Sequence, residues 1–373
     1  MDNLRRAFRI VVATGSLLLS LAAAEAYVRW FRSDLVDTNV LRARLTEGSI
    51  AQLIQPANAP GLIYELKPNN SGRLLASQIN TGPEGYRIDP DVPSPADSAR
   101  IPRIAVVGDS TSFGWGVEYR QSYPELVRGR LEARLRAPVE MRNYSVPGYN
   151  SEQELALFHQ KVIAYRPDVL ILHHDPNDSE PVGFGFNLTP EYLAPEYGDN
   201  ALSSSLLKFV LRELRIRQNR RAFDQDNNAA LISGSIAGGA LYDRHLRALE
   251  SMVSAAKDLH TPIVAILFNS RIAADDRYQD SEIYQVLHRG LQERLEAMGF
   301  LVLDLFPFYQ AKMKQEGWTD LTPLWRFPGD AHPNPAGHRI IADAVTDYIL
   351  GRPDLVSRLA PPRESSHPSG VKR

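Results

Sequence analysis

The chain has 373 residues, 43% hydrophobic and 23% charged, enough for one large globular domain with additions or for two small domains. Its net charge of −2 gives no overall reason to expect nucleic acid as a partner. The absence of cysteine excludes disulfides, thiolate metal sites and a cysteine nucleophile.

The first element is apolar. Arg5, Arg6 and Arg9 precede a stretch from Ile10 to Val28, whose nineteen residues span roughly 28 Å as a helix, about one hydrocarbon core. The basic flank predicts a cytoplasmic N-terminus and an exported remainder, although Arg29 and Arg32 on the far side weaken that asymmetry. A cleaved signal peptide competes with an uncleaved anchor, because Ala24-Glu25-Ala26 resembles a small-residue cleavage site; a buried soluble helix is the third reading. Glu25 stands near the outer end, where it can reach the interface.

Residues 33–100 carry Pro and Gly without a long periodic run and read as a juxtamembrane lead-in that packs on the main domain. From Arg103 short apolar runs alternate with amphipathic stretches. Strands are predicted at Ile104–Val107, Val139–Tyr144, Asp168–His173, Pro262–Phe268 and Phe300–Leu305. Helices are predicted at Ser122–Arg136, Ser151–Tyr165, Leu241–Leu259, Ser281–Met298 and Pro335–Leu350. Ser151, with Glu154 three residues on, suits a helix start, and so does Asn334 before Pro335. This alternation predicts an α/β fold, a parallel sheet with helices on both faces.

Two segments break the rhythm. Residues 179–240 are too long for an ordinary connection and read as a helical insert, a lid or side lobe. Within it, Leu206–Ala222 is strongly basic: a solvated helix face, a cationic wall over an acidic glycan, or a contact with anionic lipid. Residues 352–373 are rich in Pro, Ser and Arg and read as a disordered tail. The expected organisation is thus an N-terminus with signal-anchor helix (1–32), a lead-in (33–100), a main domain (101–351) interrupted by the insert, and the tail.

The residues suited to chemistry fall where the predicted strands end, the edge at which open parallel sheets bind ligands. Ser110 follows the first strand in RIAVVGDSTSFGWGV, at the start of a helix whose N–H groups point outward. Asp109 beside it suits shaping the turn. Gly148, in VPGYN, permits close backbone approach to a ligand. Asn177, in DPND, follows the third strand and offers an amide to an oxyanion, with Asp178 ordering the loop. His332, in GDAHPN, lies in a predicted loop after the fifth strand and could exchange a proton with the serine, Asp330 holding the ring. Each alone reads more readily as a turn or packing residue; four at one edge point to acyl transfer. His173 and His174 end the third strand, where they either touch substrate or pack. His338 lies within the last helix and reads as helix surface or packing. No His, Asp or Glu cluster has metal-ligand spacing, and neither a phosphate-binding glycine loop nor a dinucleotide fingerprint occurs, so no metal or cofactor is expected.

The order Ser110, Gly148, Asn177, His332 resembles the SGNH (GDSL-like) hydrolases over roughly residues 103–350. The resemblance implies a flavodoxin-like three-layer α/β/α fold with a central five-stranded parallel sheet. It also implies an oxyanion hole from the Ser110 and Gly148 N–H groups and the Asn177 amide. The runs WGVEYRQSYPELV and QINTGPEGYR look like a membrane-anchored bacterial branch. Two blocks depart from the family pattern: Asp175 replaces the glycine of Gly-x-Asn-Asp, and Gly329 fills the acid position of Asp-x-x-His. Asp330 stands one residue closer, in an Asp-x-His pairing similar to that of the alginate O-acetyltransferase relatives.

These readings together predict a serine esterase in the bacterial inner membrane, its catalytic domain in the periplasm. Ser110 would be nucleophile, His332 base and Asp330 orienter. The expected partners are the membrane, through the N-terminal helix, and an acylated small-molecule or glycan substrate. The alternatives are a form secreted after cleavage, an O-acyltransferase using the same groups, and a non-catalytic glycan-binding or envelope-assembly protein with this fold.

Overall fold

The computed structural model describes residues 2–31, 50–57, 59–62, 64–75, 77–92, 101–179, 204–207, 210, 240–267, 288–327 and 330–360. Most of the insert, residues 281–287 of one predicted helix and residues 361–373 of the tail lie outside that set.

Helix α1 (Asp2–Phe31) is about 45 Å long at the helical rise. Apart from Val28, its apolar stretch is not buried by the rest of the protein, and the helix is long and apolar enough to be a membrane anchor or a signal sequence. The described residues of the lead-in supply five strands: β1 (Ile54–Pro56), β2 (Tyr64–Leu66), β3 (Ser71–Leu74), β4 (Ser77–Thr81) and β5 (Arg87–Ile88). The main domain follows with β6 (Arg103–Gly108), α2 (Ser110–Phe113), α3 (Tyr123–Leu135), β7 (Glu140–Asn143), α4 (Ser151–Leu157) and β8 (Val169–His173). Next come α5 (Ala240–Asp258), β9 (Ile263–Leu267), α6 (Gly290–Met298), β10 (Leu301–Asp304) and α7 (Phe306–Glu316). The chain closes with β11 (Trp325–Phe327), β12 (Asp330–Pro333), α8 (Pro335–Leu350) and α9 (Pro353–Leu359).

The main sheet runs β10-β9-β8-β6-β7-β5-β4-β3. Strands β7, β6, β8, β9 and β10 are mutually parallel, in the flavodoxin-like order. The chain steps from β6 to β7 on one side and to β8 on the other, so the switch point lies at the end of β6, where Ser110 starts α2. Strands β5, β4 and β3 extend this sheet antiparallel, so the lead-in is built into the sheet as well as packed on it.

Strands β6, β8 and β9 are buried on both faces, which is why they read as apolar runs, whereas β7 and β10 flank them and are only partly buried. Alternation divides them: Ala105, Val107, Leu170 and Leu172 face a layer with α4, α5 and α6. Ile104, Val106, Val169 and Ile171 face α3, α7, α8 and α9. The predicted disordered tail is corrected in its first turns: Leu355 and Leu359 of α9 are buried in the second layer, and that contact fixes the helix.

The start of α4 also corrects the expectation. Asn150, not Ser151, is the cap, its extended backbone presenting Oδ1 to the Gln153 N–H at 3.0 Å. Ser151 bonds His245 of α5 at 2.9 Å instead, and Glu154 turns inward, fully buried with both carboxyl oxygens unpartnered. Burial, then the nearby Asp175, raises its carboxyl from 4.5 to about 8. A folded-state value above the unfolded one means Glu154 contributes stability below pH 4.5, and that contribution is lost as pH rises toward about 8. Relative to wild type, Glu154→Gln should therefore melt progressively higher as pH is raised through that window. A melting difference independent of pH would contradict a neutral buried Glu154.

Candidate active site

Asp109 turns the chain between β6 and α2. Its Oδ1 accepts the Thr111 N–H at 3.0 Å, capping the short helix. Ser110 is thereby held at the helix start, 5% exposed. The Ser110 hydroxyl lies 2.8 Å from His332 Nε2 and 3.2 Å from Asp109 Oδ2. A hydroxyl has one proton to donate, so the shorter contact is the better placed to receive it. A serine hydroxyl within reach of an imidazole nitrogen is the arrangement that base-assisted nucleophilic attack requires.

His332 is not in a loop, as the sequence suggests, but on β12, which pairs antiparallel with β11 in a two-stranded ribbon. Helix α7 and this ribbon lie between β10 and α8. Asn334 locks the ribbon to α8: its Oδ1 caps the Ala336 and Gly337 N–H groups at 2.8 and 3.1 Å, and its Nδ2 donates to the carbonyls of Pro323 and Trp325. Trp115 stacks on the His332 ring, with centroids 5.4 Å apart and planes 30° apart. Asp330 starts β12, two residues before His332; its side chain lies outside the described set.

Gly148 stands third in the turn Val146-Pro147-Gly148-Tyr149, which the Tyr149 N–H closes onto the Val146 carbonyl at 3.2 Å. Its φ of 78° and the preceding proline are the signature of a type II turn, which only glycine enters without strain. The lead-in holds this turn: the Tyr64 hydroxyl donates to the Pro147 carbonyl at 2.8 Å, and Tyr149 OH donates to the Tyr64 carbonyl.

The Asn177 amide donates to Asp109 Oδ2 at 3.0 Å and, weakly, to the Tyr149 carbonyl at 3.4 Å. Asp109 thus joins Ser110, Thr111 and Asn177, while Tyr149 brings the Gly148 turn to the same amide. The atypical Asp175 serves this assembly too: its Oδ1 accepts from the Thr111 hydroxyl at 3.3 Å, and its N–H donates to Asp178 Oδ2 at 3.1 Å.

His173, His174 and His338 pack in the interior. His173 is fully buried against Tyr123, ring centroids 5.4 Å apart, and burial lowers its pKa. His174 packs on His245, 5.1 Å between centroids, and burial first, with Asp175 partly offsetting it, takes it down to about 4. His338 is buried and accepts the Tyr123 N–H at 3.2 Å. Burial, then Arg87, His173 and His332, lowers it to about 3 and keeps it neutral. Among the described residues no group of three or more His, Asp or Glu is disposed to hold a metal ion.

Sequence reasoning missed Trp115 and Arg326. Arg326 of β11 lies so close over Gly116 that a Cβ there would meet the guanidinium carbon at 2.3 Å. The aromatic run after Ser110 was a usable signal for Trp115; nothing in the sequence links Arg326 to Gly116.

A family model described as the GDSL-like lipase/acylhydrolase family matches residues 106–340. No curated protein gives a significant match. Similar solved structures include the acetylxylan esterase Axe2 of Geobacillus stearothermophilus, at 16% identity, covering 68% of this chain and 96% of that one, TM-score 0.42. TesA is similar at 13% identity, 66% and 97% coverage and TM-score 0.38. The lipase Lip_vut3 from a goat rumen metagenome is similar at 11% identity, the same coverages and TM-score 0.42. The family match spans more than half of the chain, and the chain belongs to the GDSL-like lipases and acylhydrolases, enzymes that hydrolyse esters.

Proposed function

We propose that this chain is a membrane-tethered serine esterase that removes O-acetyl or similar acyl groups from envelope or extracellular glycan. The 2.8 Å contact between Ser110 Oγ and His332 Nε2 carries the reading. Ser110 Oγ attacks the ester carbonyl while His332 Nε2 takes its proton. The tetrahedral oxyanion collapses, expelling the alcohol with a proton from His332 and leaving an acyl-serine. Water, activated by the same imidazole, then releases the acid.

The Ser110 and Gly148 N–H groups and the Asn177 amide stabilise the oxyanion. The 3.4 Å bond from Asn177 to the Tyr149 carbonyl lies at the weak end of hydrogen bonding, so that proton is the one to yield to substrate. Asp330, two residues before His332 on β12, orients the imidazole.

The location rests on α1. Arg5, Arg6 and Arg9 before the apolar stretch support a domain outside the cytoplasm, where acylated glycans are the accessible esters. Retention of α1 is supported by Glu25, whose carboxylate accepts from Ser204 Oγ at 2.7 Å and from the Ser205 and Leu206 N–H groups at 2.9 and 2.8 Å. A removed signal peptide would take this contact with it.

The full chain, purified in detergent, should release acetate from acetylated oligosaccharides. Ser110→Ala and His332→Ala should each lower the rate by more than about a thousandfold, and Asn177→Ala by roughly a hundred- to a thousandfold. Acyl transfer to an added sugar exceeding hydrolysis would turn the reading toward an O-acyltransferase. Folded wild-type protein that releases no acid and forms no transfer product would contradict both. Intact mass of the membrane fraction should include the N-terminal helix; a mature chain beginning near Tyr27 would contradict the anchor.

A further inference from the structure

The family match begins at residue 106, so it leaves out the lead-in and the run QINTGPEGYR that ends at Arg87. Arg87 is nevertheless 1% exposed, in the interior behind the nucleophile turn. It lies on β5, where its register partner on β7 is Asn143, itself 3% exposed. This cross-strand pair takes hold of one short stretch of backbone. Asn143 Nδ2 donates to the Ser112 carbonyl at 2.7 Å. Arg87 Nη1 donates to the carbonyls of Phe113 and Gly114 at 2.7 and 3.0 Å, and Nη2 to that of Val117 at 2.6 Å. The guanidinium carbon also sits 5.1 Å above the Phe113 ring.

A buried cation is costly without compensation. Here the compensation is a row of backbone carbonyls at the end of the helix that Ser110 begins, with Glu118 and Tyr119 as the further favourable electrostatic influences. Burial lowers the Arg87 pKa to about 10, still charged at neutral pH. A guanidinium suits this role because its planar fork reaches several acceptors at once, where an ammonium is a point charge. The segment 110–117 reaches the reacting pair at two points. Ser110 opens it, and its carbonyl accepts the Trp115 N–H at 3.0 Å. Trp115 in turn supports the His332 ring.

We infer that Arg87, with Asn143, is a positioning residue of the reaction. From outside the matched family region it clamps the 110–117 backbone, setting Ser110 and, through Trp115, His332 in register for proton transfer. The inference rests on Ser110 being the nucleophile.

The test uses the full chain in detergent, with p-nitrophenyl acetate turnover and amide hydrogen exchange measured on the same preparations. Arg87→Ala should lower kcat per folded molecule by about ten- to a hundredfold, the size expected of a misplaced reacting group, with KM changed by less than about threefold. Exchange should rise selectively at 110–117 while β8 stays protected. Arg87→Lys should recover part of the loss, and millimolar methylguanidine should partly rescue Arg87→Ala. Folded Arg87→Ala with kcat within about twofold of wild type, unchanged exchange at 110–117, or activity lost only in proportion to folded protein would overturn the clamp. If Arg87→Ala does not fold, Arg87→Lys and Asn143→Ala decide: wild-type kcat and exchange in both would overturn it. A wild-type chain without esterase activity would sink the nucleophile assignment, and the exchange measurement would still decide the clamp.

Discussion

A hydroxyl and an imidazole separated by 222 residues of sequence meet at 2.8 Å, and the architecture serves that contact. The doubly wound strand order brings the end of β6 to the sheet's switch point, and the Asp109 cap stops the chain there so that Ser110 opens a helix. His332 comes from outside the main sheet, on a two-stranded ribbon locked to α8 by Asn334. Precision at the contact is bought with secondary contacts: Trp115 against the ring and Asp109 joining Ser110, Thr111 and Asn177.

The proposed reaction would need the charge around that contact to suit an oxyanion. Asp109, Glu154, Asp175 and Asp178 are all buried within reach of one another's fields. Four ionised carboxylates there would oppose the negative charge of a tetrahedral intermediate. Burial pushes Glu154 up to about 8 and Asp178 well above its ordinary value, the latter with added repulsion from Glu154, Asp109 and Asp175. Proton uptake by Glu154 and Asp178 keeps the total negative charge of the cluster low. The same burial holds His173, His174 and His338 in their neutral forms, leaving His332 as the imidazole in contact with the serine.

Much of this was legible in the sequence, for physical reasons. Strands buried on both faces must be apolar at consecutive positions, so β6, β8 and β9 announced themselves, and ligand-facing turns between them confined the candidate residues to one edge. The lead-in strands did not. SGRL and SQINT are short, partly exposed and polar, and their pairing is fixed by neighbours far away in the chain. Arg87 is the sharpest case: a lone arginine in a loop-like run gives no local sign of burial, because the carbonyls that accept it belong to residues 113–117. Glu154 misled in the same way, its spacing suggesting a helix cap while the core took the side chain. The ribbon carrying His332 read as a loop because its two strands are very short.

The most direct test of the account is covalent. The full chain would be treated with a fluorophosphonate, its intact mass measured and the modified peptide sequenced. The account predicts one adduct per chain, on Ser110, forming far more slowly when His332 is replaced by alanine. Modification at another residue, or no modification of folded protein by even a small probe, would contradict an activated Ser110–His332 pair.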